Sequence, residues 1–276
     1  MTSIYLNEGL KSIGDFAFHG SVAQLIKIPQ TVDSIGNKAF ESNNSLEQLQ
    51  LPAYCGYIGE EAFQSCKSLK KITLDANGTA LKNTNVMLDL SCFASCANLT
   101  DVSIPANVIE LGSGVFMQDS ALVTIKLNNN IATMGTGVFK SCVKLKNVNI
   151  PTALRKIESN MFDGCKSLET ITIPANIDSI NEKVFLNCEA LKTVIFEGTK
   201  HPVIDLKAFA QSSDTAGNDI THYYPAGLKI YVPDASVSDY ETAFENIRLY
   251  EASKSGSYES NPEKKLQILP MSQYRK

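Results

Sequence analysis

The chain has 276 residues, 43% of them hydrophobic, with 25 basic and 29 acidic residues and a net charge of −4. That is enough apolar material for one large domain or two small ones, and there is no basic stripe of the kind nucleic-acid binding needs. No apolar run reaches the roughly 18 residues of a membrane span, so no membrane insertion is expected.

The first stretch, MTSIYLNEGLKSIG (1–14), lacks a basic segment followed by an apolar one. It does not read as a secretory signal. Two expectations stand side by side: a cytoplasmic protein, or a piece of a protein whose leader lies outside it. From here a fixed period takes over. Phe recurs at 18, 40, 63, 93, 116, 139, 162, 185 and 209, in steps of 22, 23, 30, 23, 23, 23, 23 and 24. A period of this length marks a stack of structural repeats.

The frame within each period is legible. After Pro174, apolar residues follow at Ile177, Ile180 and Val184, then Phe185, Cys188 and Leu191. The same frame fits Pro29–Phe40, Pro105–Phe116 and Pro151–Phe162. LETITIP (168–174) alternates with period 2 and reads as a short strand closed by proline. Strands of successive coils are expected to pair in parallel about 4.8 Å apart. Gly14, Gly36, Gly59, Gly112 and Gly135 follow the second apolar residue, where a tight corner with positive φ is expected. Asp89, Asn181 and Asp205 take that place in other coils, and the stretch from corner to Cys is expected to hold a helical turn.

The one long step, Phe63 to Phe93, carries seven extra residues, read as a loop insertion over 75–89. The solenoid runs over 1–233, with a degenerate last coil at 201–233. Residues 234–253 break the frame and read as a helical cap, started by Asp234 or Ser236 and running through Phe244. Residues 254–276 read as a polar, loosely ordered tail.

The unit IPxxVxxIGxxAFxxCxxLxxIxIP resembles the BspA-like leucine-rich repeat, type 5. IPQTVDSIGNKAFESNNSLEQLQLP (28–52) and LPAYCGYIGEEAFQSCKSLKKITL (51–74) carry most of it, and the resemblance covers about residues 4–200. It implies an α/β right-handed solenoid of about nine coils, with a parallel sheet on the concave face. It also implies a surface or secreted protein of host-associated microbes, linked to adhesion, with host matrix or cell-surface proteins as partners.

Chemistry-bearing clusters are sparse. Cys66, Cys96, Cys142, Cys165 and Cys188 share one repeat position, and Cys55 and Cys92 take two other apolar positions. They read as small core hydrophobes. Stacked neighbours fall within disulfide reach, though parallel Cβ vectors make bonding awkward. Paired CxxC spacing for a metal is absent. His19, His201 and His222 lie far apart in the frame, and Asp214, Asn218 and Asp219 lack the spacing of a calcium loop. No catalytic residue, metal or cofactor is expected. The useful constellation is the outward side of the strands: Gln48, Gln50, Lys71, Thr73, Asp101, Ser103, Thr124, Lys126, Asn147, Asn149, Thr170, Thr172, Thr193 and Ile195, with Lys229 and Tyr231 from the last coil. It reads either as a face that binds a protein or a glycan, or as the solvated side of a structural spacer. Tyr223, Tyr224, Tyr231, Tyr240 and Tyr250 crowd the C-terminal end, as cap packing or as a binding lip.

Overall fold

The computed structural model describes residues 2–52, 55–74, 86–205, 207–209, 227–244, 250–252, 258–260 and 266–274. Each repeat lays down three strips, and each strip pairs with its copy in the next coil. The first strip is the strand seen in the sequence. Gln48–Leu51, Lys71–Leu74 and Asp101–Ser103 pair in parallel, as do Thr170–Ile173, Thr193–Phe196 and Lys229–Val232. Ser3–Tyr5 with Leu25–Lys27, and Thr124–Ile125 with Asn147–Val148, add shorter parallel pairs. Equivalent residues face each other, such as Gln48 with Lys71 and Thr172 with Ile195. The register is fixed because a one-residue slip would turn Leu49, Ile72 and Ile171 out of the core.

The second strip, absent from the sequence reading, is a ladder of mostly two-residue strands just before the corner. Ser12–Ile13, Ser34–Ile35, Tyr57–Ile58, Val86–Leu88, Val108–Leu111 and Thr133–Met134 pair in parallel in that order. Lys156–Ile157, Ser179–Ile180 and Val203–Ile204 form a further parallel set.

The third strip corrects the expected helical turn. From Phe18 to Phe185, the residues two before and two after each Phe hold φ between +51° and +76°. This chain of turns is tied to the next coil. The N–H groups of Phe16, Phe18 and Gly20 donate to the carbonyls of Asn37, Ala39 and Glu41, and the same triplet recurs at Gly137, Phe139 and Ser141. Twelve of the left-handed residues are not glycine. Each costs about 1–2 kcal/mol, and the inter-coil hydrogen bonds offset that cost. The corner glycines act differently from expectation as well. Neither Gly36 nor Gly135 takes a positive φ. A Cβ on Gly135 would lie 2.5 Å from the Ser113 nitrogen, and one on Gly36 would lie 2.7 Å from the Asp15 nitrogen. These corners need glycine because successive coils touch there.

Inside the three strips runs a column of phenylalanines. Successive rings from Phe18 to Phe209 stack at 4.9–6.0 Å between centroids, within 21° of parallel. The cysteines stand beside it, all reduced and buried. The Cys66, Cys96, Cys142, Cys165 and Cys188 thiols donate to the carbonyls of Phe40, Phe63, Phe116, Phe139 and Phe162 one coil earlier, at 3.0–3.4 Å. That explains the residue type: the position needs a small, buried donor. Asn43 fills it with a 2.8 Å bond to the Phe18 carbonyl.

The insertion is shorter than the 75–89 expected. Val86–Leu88 already pairs with Tyr57–Ile58, so the surplus lies between Leu74 and Val86. At the C-terminal end a 3-10 turn, Asp234–Ser236, leads into the helix Val237–Phe244. Tyr240 is buried under it, its hydroxyl donating to the Gly198 carbonyl at 2.9 Å. The sequence reading gives the helix Asp234 or Ser236 as its cap. Asp234 instead accepts from the Ser272 N–H at 2.9 Å. The stretch expected as a loose polar tail contains Gln267–Pro270, which extends the first ladder by pairing in parallel with Lys229–Val232. Tyr250–Ala252 and Tyr258–Ser260 form an antiparallel pair, so strand replaces the helical reading of 250–252.

Candidate functional site

The outward positions of the first ladder form two rows across the coils, and their surroundings differ along the stack. Along the middle, much of the polarity is spent within the fold. Lys71 and Asp101 face each other across paired strands and form a 2.9 Å ion pair. Asn147 reaches the Thr124 hydroxyl at 3.5 Å. Asn149 uses both ends of its amide on one backbone unit, accepting from the Leu127 N–H at 2.8 Å and donating to the Leu127 carbonyl at 2.9 Å. It holds two coils together and is not free for a ligand. Thr73, Thr172 and Thr193 are half-buried, while Ser103, Lys126, Thr170 and Lys229 are exposed.

At the C-terminal end the face closes. Tyr231, the one aromatic expected on it, is 8% exposed, as is Ile195 beside it. Its ring packs edge-on to Tyr274 at 5.0 Å. The chain's own last strand therefore removes Tyr231 from the surface. Tyr240 also serves packing, 5.1 Å from the Phe196 ring, and burial pushes its hydroxyl up to about 12. Tyr223, Tyr224, His222, Asp214, Asn218 and Asp219 lie outside the described residues, and so do residues 75–85 of the insertion.

At the N-terminal end the face opens. Ser3–Tyr5 and Leu25–Lys27 belong to the same ladder, which the sequence reading starts only at Gln48. They add Tyr5, 68% exposed, Leu25, 44% exposed, and exposed Lys27. The signal was present: LIKIP (25–29) sets Ile26 and Pro29 in the frame that Leu49 and Pro52 occupy in the next coil. Here the surface dips into a cleft of about 340 Å³ lined by Glu8, Leu25, Lys27, Pro29, Gln48 and Gln50 among others. Its outer wall is the loop at Glu8, held where the Gly9 N–H donates to the Thr31 hydroxyl and that hydroxyl donates to the Leu10 carbonyl.

Among the described residues, acid–base and metal chemistry find no such gathering. His19 pairs with Glu41 at 3.4 Å, and His201 sits against its own Pro202 carbonyl and the edge of Tyr240. Among the described residues no three His, Cys, Asp or Glu side chains converge on a metal position. Burial raises the cysteine thiols, Cys55 and Cys66 to about 12, which removes the thiolate a nucleophile requires.

The repeat geometry and the sequence pattern meet in one assignment. The model of the BspA type leucine-rich repeat region matches residues 1–85 and 86–216 in six copies. The chain belongs to the BspA-type leucine-rich repeat family. Solved structures of leucine-rich repeat proteins are similar to it. One from Bacteroides ovatus is 26% identical over 64% of this chain and 50% of its own, with a TM-score of 0.49. A leucine-rich cell surface protein from Faecalibacterium prausnitzii is 28% identical over 71% of this chain and 60% of its own, at 0.44. The T. pallidum leucine-rich repeat protein is 23% identical over 68% and 77%, at 0.47. This BspA-type chain therefore spans half to three-fifths of the length of the first two. A search of curated proteins returns no match. The BspA-type family is typically non-catalytic and no enzyme family is indicated, and its members are cell-surface proteins. Among the described residues no helix is long and apolar enough to cross a membrane.

Proposed function

We propose that this chain is a non-catalytic binding or adhesion module, displayed at a cell surface, that uses the outward rows of its first strand ladder to hold a host matrix protein, a cell-surface protein or a glycan. The observation that carries the reading is the ladder itself. Its outward rows run across successive coils in fixed register, and at the N-terminal end their side chains are exposed and uncommitted. Repeat stacks use such extended faces for recognition. The test is a capture assay of the full chain on matrix proteins and a glycan array, beside a variant with Gln48→Lys, Thr124→Lys and Thr170→Lys. These positions are exposed and carry no bond to another coil's backbone. A ligand held equally by both proteins removes the ladder as the site.

A structural spacer is the second reading, and one observation favours it. Lys71 with Asp101, Asn147 with Thr124 and Asn149 with Leu127 leave the middle of the face satisfied without a ligand. A spacer gives no specific capture from either version.

A further inference from the structure

The N-terminal cleft differs from the rest of the face in three ways. First, most of its polar side chains are idle, Gln30 excepted. Among the described residues, the side chains of Glu8, Lys27, Gln48 and Gln50 make no hydrogen bond or ion pair with the protein, in contrast to Lys71, Asp101 and Asn149 a few coils on. Second, its charge is balanced, one free carboxylate and one free ammonium, with the three neutral amides of Gln30, Gln48 and Gln50. Third, it has a hollow shape of about 340 Å³. Small-ligand sites begin at about 300 Å³ and combine an apolar surface with a few polar groups.

We propose that this cleft takes a neutral sugar unit of a glycan chain, an inference that rests on the binding-module reading above. A sugar ring presents C–H faces and hydroxyls that both donate and accept. Leu25, 44% exposed, offers an apolar surface for the C–H face, with Pro29 buried at the base of the cleft. The amides of Gln48 and Gln50 each carry a donor and an acceptor, matched to adjacent hydroxyls. Glu8 accepts and Lys27 donates at the rim. An anionic or cationic ligand would set a like charge against Glu8 or Lys27, and a neutral one avoids both. Tyr5, paired opposite Lys27 and 68% exposed, extends the site by one aromatic ring along the ladder, where the next sugar of a chain would lie. A folded protein partner is favoured less. Protein hot spots concentrate in Trp, Tyr and Arg, the chain has no Trp, and Tyr5 is the one such residue at this end of the face.

The experiment titrates the full chain with a panel of neutral tetrasaccharides built from hexoses and N-acetylhexosamines, by calorimetry and by shifts of glutamine side-chain amides in NMR spectra. A Gln48→Ala/Gln50→Ala variant runs in parallel, with Lys144→Ala, exposed and off the ladder, as control. The expected result is saturable binding to at least one tetrasaccharide, weakened at least tenfold in the double variant and unchanged in the control. Binding retained by the double variant overturns the assignment of the cleft. No sugar binding, with a matrix protein captured by the wild type and lost in the double variant, overturns the sugar and leaves the binding-module reading in place. No sugar binding, with matrix-protein capture kept by the double variant and lost in the Gln48→Lys/Thr124→Lys/Thr170→Lys protein, overturns the cleft and again spares that reading. No capture of any kind ends both.

Discussion

Replacing Asp119 with asparagine should stabilise the protein, and should do so only above the acid range. Asp119 occupies the position where other coils carry a cysteine thiol, and it is fully buried. Its Oδ1 accepts from the Cys96 N–H at 2.8 Å, while Oδ2 has no partner. Burial drives the carboxyl well above its ordinary value, and the Cys96 N–H offsets this only in part. The sign follows from linkage. Below about pH 4 both the folded and unfolded carboxyls are protonated and burial adds no penalty. Above that, the unfolded chain ionises while the folded chain keeps its proton, so stability falls as pH rises, by up to about 1.4 kcal/mol per unit, until the folded group also ionises. In Asp119→Asn the new amide would keep the bond from Cys96 and present an NH2 group in place of the partnerless oxygen. Asn43 shows what that group does, since its amide nitrogen donates to the Phe18 carbonyl of the coil before. Asparagine has no proton to lose, and a protonated wild-type carboxyl can donate as that amide does, so the gain at pH 7 is what linkage costs the wild type, up to about 4 kcal/mol over the roughly three units above the unfolded value. Urea unfolding of both proteins from pH 3.5 to pH 8 gives the answer. The curves should meet near pH 4 and diverge above it. Parallel curves would mean that Asp119 does not hold its proton in the fold.

Other consequences can be checked with standard tools. Phe139→Ala removes a fully buried ring stacked at 5.8 and 5.7 Å on its two sides, and should cost about 3–5 kcal/mol; Phe18→Ala, half-buried and stacked on one side only, should cost about half as much in the same urea assay. Because each coil touches only its neighbours, Phe139→Ala should also lower the slope of unfolding by separating the two halves of the stack. Lys183→Gly relieves a left-handed backbone at φ 58° while keeping the N–H bond to the Lys207 carbonyl, and should raise stability by about 0.5–1 kcal/mol net of the flexibility glycine adds to the unfolded chain. All seven cysteines are buried and reduced, so an aromatic disulfide reagent at pH 8 should titrate no thiol in the native protein and seven after denaturation.

The sequence made the core legible because stacking demands it. A side chain that must match its copy above and below repeats every 23 residues, which is why Phe162, Cys165, Leu168 and Ile171 stood out and why all four are buried. What failed to show was whatever depends on backbone geometry. The corner glycines suggested positive φ, yet the left-handed residues are Lys38, Ser65, Asn160 and their equivalents, whose identities drift because the inter-coil N–H bonds hold the backbone whatever the side chain. The two-residue strands of the second ladder are too short to show an alternation. Asn149 looked like one more outward polar residue, since nothing in NVNIP tells an amide that binds backbone from one that meets solvent. Strand alternation turns Tyr231 outward, and its cover, Gln267–Pro270 and Tyr274, lies outside the repeat frame.

These differences bear on where recognition can reside. Strand alternation alone makes every outward residue of the ladder equivalent, from Gln48 to Tyr231. Hydrogen bonding and burial make them unequal. The last rungs are covered by the chain's own final strand, the middle rungs are in part paired with one another, and the N-terminal rungs keep idle amides and charges around a hollow. A ligand gains most where it meets polar groups that folding has not already satisfied, because there it replaces only water and breaks no protein bond. Substitutions along the ladder should therefore have a polarised effect on capture. Losses should be large at Lys27, Gln48 and Gln50 and small at Thr170 and Thr193, and at Asn149 a loss should be accompanied by a fall in stability that exposes its structural cause.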